Sequence, residues 1–310
     1  MFAPAAIQQL TGERLHLSHG PIDVVLKAWG KPQAVRAAYA AAGQRFPAIL
    51  PELCDELIAL RAPIQERRAV DGPVARRMVE ACLPFADVFV TPMAAVAGAV
   101  ADELLAYMTA AASLERAFVN DGGDIAVLVT PGHGMDVGVA GEFSRGATPV
   151  INGSVRLEAE SGVGGIATSG ARGRSFSLGI ADSATILARD AATADVAATL
   201  VANAVDVDSP AVRRRPAREL DPDCDLRDLA VTVSVGALEP AEIEIALARG
   251  LERALDYRRR RLIADAALML QGHGRTLGDR AGEAPLSLTS ARATSPPALA
   301  WDRSRRAART

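Results

Sequence analysis

Three polar side chains, Asp195, Thr199 and Asn203, recur every fourth residue in AATADVAATLVANA, where most other positions are Ala, Val or Leu. In a helix this spacing sets all three on one face, one turn apart. The Asp195 carboxylate and Thr199 hydroxyl would then reach a common hard cation. Oxygen donors of that kind suit magnesium or calcium, completed by water and phosphate. The same stripe has a structural alternative, with Thr199 bonded back to a carbonyl, Asp195 solvated and Asn203 capping a neighbouring loop.

Just upstream, GGIATSGARGRS offers backbone N–H groups at Gly165, Gly170 and Gly173, hydroxyls at Thr168 and Ser169, and guanidinium groups at Arg172 and Arg174, with Asp182 a few residues on. Arginine forks and successive N–H groups in tight turns bind phosphate, so a nucleotide or other phosphorylated ligand fits this segment. Neither a GxxxxGK[ST] loop nor a GxGxxG turn is present. A tight strand connection with two surface arginines is the competing account. Residues 120–124, Asn-Asp-Gly-Gly-Asp, could aim the Asp121 and Asp124 carboxylates at a ligand from a hairpin end, or simply supply turn chemistry. No Cys/His pair or Ser/His/Asp set emerges, and no nucleophile is assigned.

These residues need elements to hold them. Residues 14–28 alternate as two strands about Gly20-Pro21, a hairpin. Helical periodicity follows over residues 33–60, broken by Pro47 and Pro51, and again over 74–82. Thr91 reads as the N-cap of a helix of roughly five turns opened by Pro92. Its first half is built of small residues, and Gly98 there points to close approach by backbone or ligand. A strand pair flanks Gly122-Gly123, further strands follow to residue 187, and Asp190 caps the helix bearing Asp195. Residues 213–228 read as a charged crossover loop, 229–236 as the last strand and 239–270 as one long helix. A single α+β domain over residues 1–274 is expected, with a disordered Arg/Ala/Pro-rich tail over 275–310.

Composition narrows the partners. The 310-residue chain is 49% apolar, enough for a sizeable core, while aromatics make up only 4%, leaving few stacking platforms for bases. The net charge of −3 argues against a nucleic-acid footprint. Three cysteines without CxxC spacing indicate neither a disulfide framework nor a zinc site. The longest uncharged run, residues 88–101, contains Pro92 and is short for a bilayer span. A cytoplasmic protein with no membrane partner is expected, free to form a homo-oligomer.

Taken in order, TPMAAVAGAVAD, VNDGGD, GIATSG and ADVAATL resemble the ApbE-like superfamily, and RLHLSHGPID, ATSGARGRSFSLGIADSATILA and AATLVANAV are similar to its soluble branch. The resemblance spans roughly residues 14–272. It implies an α+β, T-fold-related architecture with antiparallel sheets and packed helices. The best-known members are magnesium-dependent FAD:protein FMN transferases, so it implies FAD or FMN and Mg as cofactors. Asp195 and Thr199 fall at side-chain metal-ligand positions, with a backbone carbonyl near Val96 as a further ligand. Asp102 and Asp124 match motif acids, and GIATSG makes Thr168 and Ser169 flavin-site candidates. Asp124, Thr168, Ser169, Arg172, Arg174 and Asp182 are thus the cofactor-binding candidates, and Asp195, Thr199 and Val96 the metal candidates. The chain departs from the transferases at Ala97-Gly98, where they carry Lys-Gly, and over residues 177–182, where they carry a histidine. The expected function is flavin-nucleotide binding with magnesium-dependent transferase chemistry. The alternatives are chemistry on a pterin-like ligand in one-carbon cofactor metabolism and a non-catalytic binding or assembly role.

Overall fold

The computed structural model describes residues 3–142, 150–173, 175–278 and 286–288. The chain opens with strands β1 (Ala6–Leu10), β2 (Arg14–His19) and β3 (Ile22–Trp29). Helices α1 (Pro32–Asp55), α2 (Leu57–Leu60), α3 (Pro73–Cys82) and α4 (Val96–Ala111) follow. Next come β4 (Arg116–Asp121), β5 (Asp124–Val129), β6 (Gly134–Glu142), β7 (Val150–Glu158), β8 (Gly165–Ser169) and β9 (Ser183–Ala188), then α5 (Ala191–Ala204). The chain continues through β10 (Val212–Pro216), α6 (Ala217–Leu220), β11 (Ala230–Val235), α7 (Pro240–Arg259), β12 (Asp265–Leu270), β13 (His273–Thr276) and β14 (Leu286–Leu288).

Nine strands form one antiparallel sheet in the order β1-β2-β3-β4-β5-β8-β9-β12-β13, while β14-β7-β6 form a second and β10-β11 a ribbon. The fold class is α+β. The β2–β3 hairpin turns at Gly20, whose φ of 57° suits glycine, and alternation buries Leu15, Leu17, Val24 and Leu26 on one face. Helices α1, α4, α5 and α7 cover that face in one large core. A smaller core, with Val127, Met135, Val155, Leu157, Ile166 and Leu187, lies on the opposite face against the second sheet. Layers on both faces explain why every residue of β9 and β12 is buried.

Several expectations change. Helix α1 runs unbroken through Pro47 and Pro51, which lie on its exposed side, because Phe46, Ile49, Leu50 and Leu53 pack inward and outweigh the lost backbone bonds. The Thr91-Pro92 start makes a 3₁₀ turn over Pro92–Ala95 before α4. Thr91 caps nothing; its hydroxyl donates to Asp225 Oδ2 at 2.5 Å. The expected crossover loop contains β10 and α6, with Val212–Pro216 paired to β11. The expected long helix ends at Arg259, and Arg261 turns with φ of 59° before β12, which burial on both faces makes a strand. Strand β13 passes the expected domain boundary at residue 274, and Leu286–Leu288 pairs with β7 inside the expected tail. The other tail residues, 279–285 and 289–310, lie outside the described residues.

One helical span among the described residues, Pro92–Ala111, is long and apolar enough by composition to cross a bilayer. It exceeds the uncharged run because Asp102 and Glu103 fall inside it, and here Leu104 and Met108 on it are fully buried.

Candidate functional site

The site forms where α4 and α5 cross above the β4–β5 turn and the end of β8. Helix α5 begins as the sequence implies, with Asp190 Oδ1 accepting from Thr193 N at 2.7 Å. A second carboxylate reinforces this start from the neighbouring helix: Asp102 accepts from Ala191 N at 3.0 Å and Ala192 N at 2.9 Å. Burial pushes the Asp102 carboxyl up to about 6, aided by the nearby Asp190 charge and opposed by those two hydrogen bonds. Asp102 therefore clamps α4 to α5.

Gly98 makes that clamp fit. A Cβ on it would fall 2.2 Å from Ala191 O, and the position admits no side chain. Gly165 is equally constrained from below, since its Cβ would fall 2.1 Å from the Asp190 carbonyl carbon. The close approach expected of Gly98 is to protein backbone.

With the helices thus set, Asp195 sits against the start of α4, and its Oδ2 accepts from Gly98 N at 3.1 Å. Its pKa lies well above the ordinary carboxylate range because of burial first and the Asp124 charge second, with Asp121 adding to it. The hairpin brings these acids together. Asp121 and Asp124 stand opposite each other across Gly122 and Gly123, whose φ values of 67° and 121° close a two-residue turn. Asn120 supplies turn chemistry, its Oδ1 accepting from Gly123 N at 2.8 Å. Backbone N–H groups meet the acids: Asp23 N donates to Asp121 Oδ1 and Thr168 N to Asp124 Oδ1, both at 3.3 Å.

Of the candidates, the structure brings Asp124, Thr168 and Asp195 into one neighbourhood. Thr168 pairs its hydroxyl with buried Thr185 at 2.9 Å across β8 and β9, and Ser169 follows at the end of β8. Thr199 lies one turn beyond Asp195, partly exposed, and Val96 opens α4 two residues before Gly98. Asn203 is spent on structure, its Oδ1 accepting from Leu178 N at 2.9 Å and Ser177 Oγ at 3.2 Å.

Arg172 and Asp182 engage each other. Arg172 Nε donates to Asp182 Oδ1 at 2.6 Å, and Gln271 N donates to Asp182 Oδ2 at 2.6 Å. Of the three glycines whose amides the sequence offered, Gly173 N donates to Gly170 O in a turn and Gly165 lies in β8 paired with Ala126 and Ala188. Gly170 lies against Asp182, where a Cβ would fall 2.4 Å from the carbonyl oxygen. Arg174 lies outside the described residues.

Three features escape the sequence. Cys82, buried at the end of α3, lies close enough to Asp195 that the carboxylate adds to the upward push burial gives its thiol. Glu103 is buried with Arg45 at 2.9 Å and Arg77 at 3.1 Å, tying α1, α3 and α4 together. Gln271, in a left-handed turn with φ of 46°, also bonds Gly236 O and Leu238 N. Only the last has a sequence signal, the Gln271-Gly272 turn.

Asp195 would offer a hard cation one carboxylate donor, with the Thr199 hydroxyl and the Val96 carbonyl as the further candidates. Among the described residues no group of three or more His, Cys, Asp and Glu is arranged to hold a metal. A carboxylate, a hydroxyl and a carbonyl would leave water and ligand phosphate to complete magnesium coordination.

Residues 6–276 of this antiparallel α+β chain match the protein family described as AbpE bacteria. The chain belongs to that family. It is similar to UPF0280 proteins of Methanothrix thermoacetophila, 38% identical over 44% of this chain and 54% of the relative, and of Methanopyrus kandleri, 35% identical over 54% and 65%. It thus spans about half to two thirds of the length of these curated relatives. Among solved structures it is similar to the ApbE protein of Thermotoga maritima, with 14% identity, TM-score 0.45 and coverage of 89% of this chain and 96% of that one. The apo flavinyl transferase ApbE of Pseudomonas stutzeri gives 11% identity and TM-score 0.37, covering 93% and 94%.

Proposed function

We propose that this chain binds a flavin nucleotide, FAD or FMN, together with magnesium at Asp195, in the cytoplasm. The observation that supports the metal reading is Asp195 itself, its Oδ2 3.1 Å from Gly98 N and its carboxyl pushed well above the ordinary range by burial first and the Asp124 charge second, since a cation would favour the ionised form. The flavin reading is supported by family membership and by the four ordered motifs that resemble the transferases.

Asp195 and Thr199 would hold the ion with the backbone near Val96, while Thr168 and Ser169 at the β8 end would face the ligand. The bound ion would neutralise phosphate charge and polarise a phosphoryl oxygen. Asp195 orients through Gly98 N, and Asp124 through Thr168 N. Transfer chemistry is the finer part of the proposal. Ala97 and Gly98 supply no basic side chain, and the only acid of residues 177–182 is Asp182, which Arg172 holds.

Calorimetric titration with FAD, with and without magnesium, tests this. Magnesium should tighten FAD by roughly tenfold or more, and Asp195→Asn should abolish that dependence while raising the apo protein's stability, since the carboxylate that burial and the Asp124 charge disfavour is removed. Absence of flavin binding in either condition defeats the reading, and a pterin-like molecule recovered with the native protein would replace it.

A further inference from the structure

The outermost strand of the main sheet carries none of the devices that blunt an edge. Strand β1, Ala-Ile-Gln-Gln-Leu, pairs only with β2 in an unbroken five-residue register, so its outer backbone groups have no strand partner among the described residues. It has no charge, proline or bulge to discourage another strand. Ile7 is 49% exposed and lies against α1, its Cδ1 3.3 Å from where a Cβ on Gly43 would sit.

The flanking helix adds an independent observation. Between residues 37 and 51 the exposed positions of α1 are Ala37, Ala40, Gln44, Pro47, Ala48 and Pro51. The only charged residue in that stretch, Arg45, turns inward to Glu103. In a chain that is 23% charged, this leaves an uncharged helix face about 22 Å long beside an unguarded strand edge.

We infer that this surface joins two copies of the chain. Strand β1 of one copy pairs antiparallel with β1 of the second across a two-fold axis, and the α1 faces meet on the helix side of the extended sheet. The sequence is self-complementary in that arrangement. An axis through Gln8 sets Gln8 opposite itself, Ile7 opposite Gln9 and Ala6 opposite Leu10, so no like charges meet on the strand. Nor do they meet on the helix. A surface without charge has no electrostatic preference for a charged partner, whereas it suits its own copy. The contact is small for a specific interface, below about 1,200 Å² in total, so association is reversible, with a Kd on the order of 10 μM.

Sedimentation equilibrium of the full chain from roughly 1 to 100 μM tests the inference. A monomer–dimer equilibrium is expected, weakened about tenfold or more by Gln8→Lys and by Ala40→Glu, both exposed positions outside the candidate site. Circular dichroism of both variants should match the parent. An equimolar mixture of Gln8→Lys and Gln8→Glu chains should restore dimer, because the two charges then face each other. A monomer at every concentration, or a dimer indifferent to both substitutions, overturns the inference; failure of the mixture to recover overturns the Gln8-centred pairing.

Discussion

Around the start of α5, Asp195, Asp121 and Asp124 gather against backbone N–H groups, whereas beside its far end Asp182 is answered directly by the Arg172 guanidinium. Both regions carry acids among glycines and hydroxyls in the sequence. Their electrostatics differ in the neighbour each carboxylate meets: burial and the Asp124 charge push the Asp195 carboxyl up, whereas the Arg172 guanidinium opposes the upward push of burial on Asp182. An ion pair within the chain favours the charged form of its carboxylate, while burial beside a like charge disfavours it. The difference separates two segments that look alike as ligand-binding sequence.

The sharpest way to break the first region is Gly98→Ala. Backbone occupies the space its Cβ needs, so α4 and α5 must separate, at a cost of more than about 3 kcal/mol in chemical denaturation and with loss of any magnesium response. In the second region, Arg172→Ala leaves Asp182 largely buried with only the Gln271 N–H. A loss of about 3 kcal/mol is expected there with magnesium response retained, and an equal loss of that response would collapse the distinction.

The smallest effect is a pH dependence at the clamp. The Asp102 carboxyl rises from 3.8 to about 6 on folding, so the folded state holds its proton more tightly. The resulting stability is fully present below about pH 4 and is lost as pH rises through 6. The wild type's advantage over Asp102→Asn should shrink by about 2 kcal/mol between pH 4 and 7 and stay level above that. A constant difference across that range would show that Asp102 is not perturbed.

Much of the site's composition was legible in the chain. The four-residue spacing of Asp195 and Thr199, the Asp190 cap and the Asn120 to Asp124 turn follow from local rules of helix starts and hairpins, which need no distant partner. Arg172 and Asp182 were legible as charged groups but not as partners, because they are ten positions apart and meet only where the chain folds back through the Ala171–Ala181 backbone bond. Cys82 and the Arg45–Glu103–Arg77 group were invisible for the same reason: their neighbours come from other helices.

The sequence by itself determined the family, the mixed α+β class, the hairpins and the helix that carries Asp195, since periodicity, turn glycines and caps act over a few residues. Tertiary structure decided that α1 survives two prolines, that residues 265–270 form a strand in the sheet, and that Arg172 meets Asp182. Those outcomes depend on burial and on contacts between distant segments, where packing and desolvation outweigh local preference.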